Sequence, residues 1–255
     1  MEVFLNPDAW IALVTLTFLE IVLGIDNIIF ISIATGKLPA EKRRKATKLG
    51  MFLAMFMRIA LLFGINLLIQ MKEPWFQIDL SWFSAGITGQ SIILLLGGLF
   101  LIYKSTNEIR EKVDEKGEEE KEIKESATKS FQNVILQIIM IDLVFSFDSI
   151  LTAVGMTNGV EGAIYIMITA VIISVFIMMQ FAVPVGNFVN KHPSIQILGL
   201  AFLILIGMML LTESAHLSNA LIFGSHVTPL PKGYLYFAIT FSLVVEMINM
   251  KIKKK

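Results

Sequence analysis

The chain has 255 residues, 55% of them hydrophobic and only 16% charged, with a mean hydropathy of +0.73. A soluble domain carries about 25% charged residues, so the composition points to the lipid bilayer as solvent and away from any nucleic-acid partner. The absence of cysteine excludes disulfides, zinc–thiolate centres and thiol redox chemistry, while 21 basic and 21 acidic residues cancel to zero net charge.

Seven apolar runs are long enough to cross about 30 Å of hydrocarbon, at residues 10–34, 49–71, 87–104, 131–156, 161–186, 194–212 and 233–250. Ahead of the first, Met1 to Asp8 has no Lys or Arg and no small-residue cleavage site, unlike a removed signal peptide. The first run carries the phrase Glu20-Ile-Val-Leu-Gly-Ile-Asp26-Asn27-Ile28. The second holds Arg58 about ten residues in, on the order of 15 Å below the surface at the helical rise, too deep for easy snorkelling. The third contains Gly97-Gly98, which reads with Gly86, Gly89, Gly199 and Gly207 as close helix contacts. Residues 105–130 follow, dense in both signs around Glu118-Glu119-Glu120, and read as a solvated linker or a protruding helix laced by charge pairs.

The fourth run repeats the acidic phrase as Asp142-Leu-Val-Phe-Ser-Phe-Asp148-Ser149-Ile150. Pro184 is expected to kink the fifth near its inner end. Thr212 to Lys232, with Pro229 and Pro231, forms a loop before the seventh run, which bears Glu246 and ends in a basic tail. The fourteen methionines, among them Met51, Met55, Met57, Met178 and Met179, read as lipid or core contacts rather than soft-metal ligands. His192, His216 and His226 fall in or near loops and carry no assigned chemistry.

Loop charge sets the orientation. Six Lys and Arg follow the first run, seven follow the third, Lys191 follows the fifth and four lysines close the chain, whereas the opposite side has only Lys72 and Lys232. The positive-inside rule then puts the amino terminus outside and the carboxy terminus in the cytoplasm of an inner (plasma) membrane. Three runs precede the charged linker and three follow it, so the second triplet enters the membrane from the opposite side. The fold expected is all-α and polytopic: an inverted 3+3 repeat plus a seventh helix. Its parts are a first repeat at 1–104, the linker at 105–130, a second repeat at 131–212, and the outer loop, last helix and tail at 213–255.

An ionised carboxylate at the bilayer centre costs about 2.5–3.5 kcal/mol even on the gentler insertion scales, so four at matched positions imply a function. Within each phrase the acids stand six residues apart, about 240° around a regular helix. Either the helix breaks at Gly24 and Ser146, freeing carbonyls and turning both acids into one cavity, or it is unbroken and only one acid faces the site. Asp26 and Asp148 are the deepest acids of their helices. With Glu20, Asp142, the amide oxygen of Asn27 and the hydroxyl of Ser149 they compose an all-oxygen cage suited to a hard or borderline divalent cation. The plainer alternative is protonated carboxyls that serve helix packing. Arg58 is the natural counter-ion, expected in an outer shell or at a gate because a guanidinium repels a cation. Glu246 is either a further ligand or a snorkelling side chain, and Asn66 and Asn249 read as helix-bridging amides.

Several segments together resemble the TerC family of integral membrane proteins over roughly residues 5–250: Glu20 through Asn27, Gly97-Gly98-Leu-Phe-Leu-Ile-Tyr103-Lys104, Asp142 through Ile150, and the stretch from Pro231-Lys232-Gly233-Tyr234 to Glu246. The resemblance implies membership of the wider LysE-type transporter superfamily, with bacterial manganese exporters among its relatives, and the family's name comes from tellurium resistance. Carried over by position, the motif acids fall on Glu20, Asp26, Asp142 and Asp148, with Asn27 and Ser149 beside the aspartates and Glu246 as the late glutamate. The implied cargo is Mn²⁺, with no prosthetic cofactor.

Three functional classes compete. The first is export of divalent cations through a carboxylate-lined midplane site with carboxylates as proton carriers. The second, an intramembrane aspartyl protease, needs a Gly-x-Gly-Asp motif, whereas the chain has Gly24-Ile25-Asp26 and Ser146-Phe147-Asp148; an enzyme is not expected. The third is a membrane scaffold or assembly protein in a tellurite or metal-stress response, working through the linker with soluble partners or as an oligomer. It leaves the four acids unexplained.

Overall fold

In a computed structural model of the chain the described residues are 6–114, 131–157, 160 and 162–252; the side chains of Ile25, Asp26 and Asn66 stand outside that description. In chain order the helices are α1 (Pro7–Gly36), α2 (Ala40–Phe63), α3 (Ile65–Gln70), α4 (Gly89–Asp114), α5 (Phe131–Met156), α6 (Ala163–Lys191), α7 (Pro193–Leu217) and α8 (Lys232–Ile252). All except the short α3 are long and apolar enough to cross a membrane, seven among the described residues. This is the polytopic all-α architecture that the apolar runs predict.

The helices outrun their apolar cores where the polar ends suit a helix. Pro7 starts α1 where its missing N–H is not needed, and Asn6 Oδ1 accepts from the Asp8 amide at 3.0 Å. Helix α4 continues through Arg110 and Asp114, well into the predicted linker; residues 115–130 lie outside the described residues. Gly64 ends α2, its N–H bonding Ala60 O at 3.1 Å, so the predicted single span 49–71 is two helices. Helices α1 and α5 run unbroken through Gly24 and Ser146, which decides between the two readings of the acidic phrases.

The chain packs as two compact units, Met1–Asn66 with Ile123–Lys191 and Leu67–Glu122 with His192–Lys255. Each draws on both sequence halves. In the first, α1 packs on α6 and α2 on α5, so the first helix of each half lies against the second helix of the other. Small residues set these crossings: Gly50 of α2 faces Ile138 of α5, and Gly186 of α6 faces Ser32 of α1.

In the second unit α4 and α7 touch backbone to backbone. A Cβ added at Gly98 would lie 2.7 Å from Gly207 O, and one at Gly207 would lie 2.9 Å from Gly98 O. Ser214 Oγ ties the pair further, donating to Ser91 O at 2.6 Å. Glu108 is buried on α4 with Lys104 Nζ at 2.9 Å, and Lys112 Nζ donates to Gln196 Oε1 of α7. Helix α8 buries only Ile239.

The sequence reading assigns no strand, yet this unit also holds four: β1 (Pro74–Asp79), β2 (Phe83–Thr88), β3 (Leu221–Ile222) and β4 (Ser225–His226), antiparallel in that order. Aromatic and β-branched residues at Trp75, Phe76, Ile78, Phe83 and Ile87 suit strands. Phe223 and Gly224 close the second hairpin with φ of 49° and 78°, both in the left-handed region that a two-residue turn requires. Because β2 pairs with β3, the loop before α4 and the loop before α8 lie on the same side of the membrane. The predicted topology requires this parity.

Candidate functional site

Continuous helices decide which polar residues share a face. At 3.6 residues per turn, positions i, i+4 and i+7 fall within about 60° of one another, whereas i+6 lies about 240° round. On α1, Glu20 therefore faces with Gly24 and Asn27 and away from Asp26. On α5, Asp142 faces with Ser146 and Ser149 and away from Asp148. Burial follows the geometry: the first residues of each set are all buried, while Asp148 is half-buried. The Asp26 side chain lies outside the described residues.

Arg58 joins the two faces. Arg58 is 4% exposed, and Glu20 and Asp142 are 5% and 7% exposed. Nη1 pairs with Glu20 Oε2, Nη2 reaches Asp142 Oδ1 at 3.1 Å, and Nε donates to Ser146 Oγ at 2.9 Å. Ser146 Oγ in turn donates to Asp142 Oδ2 at 3.0 Å, and Asn27 Nδ2 donates to Asp142 Oδ1 at 3.2 Å. A carboxylate from each sequence half thus shares one cation. With both carboxyls ionised, the cluster retains one formal negative charge. Arg58 touches both acids directly, as the counter-ion expected of it does.

A cavity of about 20 Å³, room for about one water, opens beside Arg58, Asp142 and Asn27 and is walled by Met51, Met55 and Met178. Met178 Sδ lies directly over Gly24, where a methyl group would collide with it. Asn27 Oδ1 is buried with no hydrogen-bond partner among the described residues.

The other predicted residues sit differently. Ser149 Oγ turns back on its own helix, donating to Ser146 O at 3.2 Å. The Asp148 carbonyl accepts from Thr152 Oγ1 at 3.0 Å. Glu246 is half-buried on α8, in the other compact unit. Sequence reasoning missed Ser146 as a bonded member of the cluster and Met178 as a cavity wall. For Ser146 the signal was there, since it is four residues beyond Asp142 on the same face; for Met178 only the packing of α6 on α1 reveals it.

Seven spans and a buried ionic cluster drawn from two repeated helices define a multi-pass integral membrane protein. Residues 5–255 match the integral membrane protein TerC family, and the chain belongs to that family. It is 45% identical over 249 residues to a UPF0053 protein of Haemophilus influenzae, covering 98% of this chain and 96% of that one. It is 46% identical over 250 residues to the UPF0053 inner membrane protein YgdQ of Escherichia coli K12, with the same two coverages. The longer inner membrane protein YoaE of the same organism is 40% identical over 250 residues, which span 98% of this chain and 44% of YoaE. No solved structure matches the chain.

Proposed function

We propose that the chain is a transporter that exports divalent metal cations across the inner membrane, with Mn²⁺ as cargo, through the site formed by Glu20 and Asp142. The observation that carries this reading is the pair of carboxylates, one from each half, buried in mid-helix and bridged by Arg58. Intramembrane acids at the interface of a repeat are the usual mark of an ion pathway. Arg58 acts as a resident cation: it neutralises the acids between cargoes, and an incoming ion takes its place. Protonation of the same carboxylates releases the ion. The choice of Mn²⁺ and the outward direction rest on the family resemblance, and the outside amino terminus rests on loop charge.

The test is Mn²⁺ flux into proteoliposomes by the native protein and by Glu20→Gln, Asp142→Asn and Asp148→Asn. Saturable flux abolished by either of the first two changes, and lowered less by the third, is the expected result. Equal flux in all four proteins would sink the carboxylate mechanism.

A further inference from the structure

The cavity beside the acidic cluster has a wall that an all-oxygen cage does not use. Asn27 spends its amide nitrogen on Asp142, while its Oδ1, in a residue only 7% exposed, has nothing to accept from among the described residues. A buried acceptor without a donor is costly and calls for a ligand or another explanation. Met178, 6% exposed, lines the same cavity. Its sulfur is admitted only because Gly24, inside the acidic phrase, has no side chain. An unpartnered amide oxygen, a carboxylate and a thioether around an ion-sized void make a mixed oxygen–sulfur donor set.

We infer that Met178 Sδ is a ligand of the transported ion and that, with Asn27 Oδ1 and Asp142, it selects transition-metal cations over Ca²⁺ and Mg²⁺. The inference rests on the reading of the cluster as a divalent-cation site. Ca²⁺ takes six to eight oxygens and Mg²⁺ demands near-ideal octahedral oxygen coordination, so a position filled by sulfur leaves either ion short. Softer transition-metal ions take thioether sulfur readily, and Mn²⁺, which oxygen suits best, stands nearer to them than Ca²⁺ or Mg²⁺ does. Met178 is then more than a core contact, and Gly24 reserves the space for its sulfur.

Cd²⁺ is close to Ca²⁺ in size but far softer, so preference between the two reads donor type and not cavity width. Uptake of Mn²⁺, Cd²⁺ and Ca²⁺ into proteoliposomes is compared for the native protein and Met178→Leu. The native protein should pass Mn²⁺ and Cd²⁺ and reject Ca²⁺. The variant's preference for Cd²⁺ over Ca²⁺ should fall on the order of tenfold, the low end of what disturbing a metal ligand's surroundings does, and its Mn²⁺ flux should fall with it. An unchanged preference at retained flux overturns Met178 as a ligand and leaves the carboxylate site standing. Absence of any divalent flux from the native protein overturns the cation site itself, and this inference with it. Should the variant fail to fold, cadmium-edge X-ray absorption decides, on the purified native protein and on Met51→Leu/Met55→Leu, which leaves Met178 as the sulfur of that cavity. The chain has no cysteine, so a Cd–S shell must come from methionine, and an oxygen-only shell overturns the inference.

Discussion

Arg58 of α2 and Met178 of α6 hold matching places in the two halves of the chain: Arg58 Nε bonds Ser146 of α5, and Met178 Sδ lies over Gly24 of α1. Gly24 and Ser146 are the fifth residues of the two acidic phrases. The crosswise packing of α1 on α6 and α2 on α5 makes the two contacts equivalent. The halves share one architecture and differ in chemistry at this slot, with a guanidinium in one and a thioether in the other.

Arg58→Met should destabilise the protein severely, because it strands two buried carboxylates; removing one member of a buried ion pair costs about 3–5 kcal/mol. The triple variant Glu20→Gln, Arg58→Met, Asp142→Asn leaves no charge behind and should melt well above Arg58→Met alone. Thermal unfolding in detergent measures both. Simple additivity of the three changes would show that the residues do not act as a unit.

Gly24→Ala forces a methyl group into Met178 Sδ, and such overpacking costs about 1–3 kcal/mol. The same change in a Met178→Ala background should be close to neutral. A penalty of equal size in both backgrounds would mean that Gly24 matters for its backbone and not for the space above it.

Gly98→Ala and Gly207→Ala place a Cβ against backbone oxygen and should each lower the melting temperature. Gly155 of α5 supplies the control, since nothing lies within 4 Å of a Cβ there. Gly155→Ala should be neutral or stabilising by up to about 1 kcal/mol, the difference in helix propensity.

The absence of cysteine makes single-cysteine labelling free of background. Gln77→Cys in β1 and His226→Cys in β4 should react with a membrane-impermeant thiol reagent from outside intact cells, and Lys48→Cys only after permeabilisation. The shared sheet requires the first two to agree whichever way the protein is inserted.

The spans were legible because bilayer thickness forces a long apolar run on each of them. The role of Arg58 was half legible: a lone cation at that depth demands anions, but nothing in the chain says whether it stands beside them or behind them. That Glu20 and Asp142 meet at Arg58 while Asp148 lies on another face follows from helical periodicity once the helices are known to be continuous, and the small residues at Gly24 and Ser146 hid that continuity. Met178 left no trace, since a methionine on an apolar helix looks the same against lipid or against an ion. The sheet was missed because two of its strands are only two residues long, too short for alternation to register.

The continuity of α1 and α5 bears on hydration. Their carbonyls near the acids stay bonded within the helices, so under the proposed transport a cargo ion would trade its water only for side chains. An octahedral ion that meets a few such donors keeps the rest of its shell and crosses the midpoint partly wet. The void of about 20 Å³ holds about one water, too little for that shell. In the proposed transport cycle, departure of the Arg58 guanidinium would therefore do two things at once, uncovering the charge that attracts the ion and vacating the room in which its waters travel.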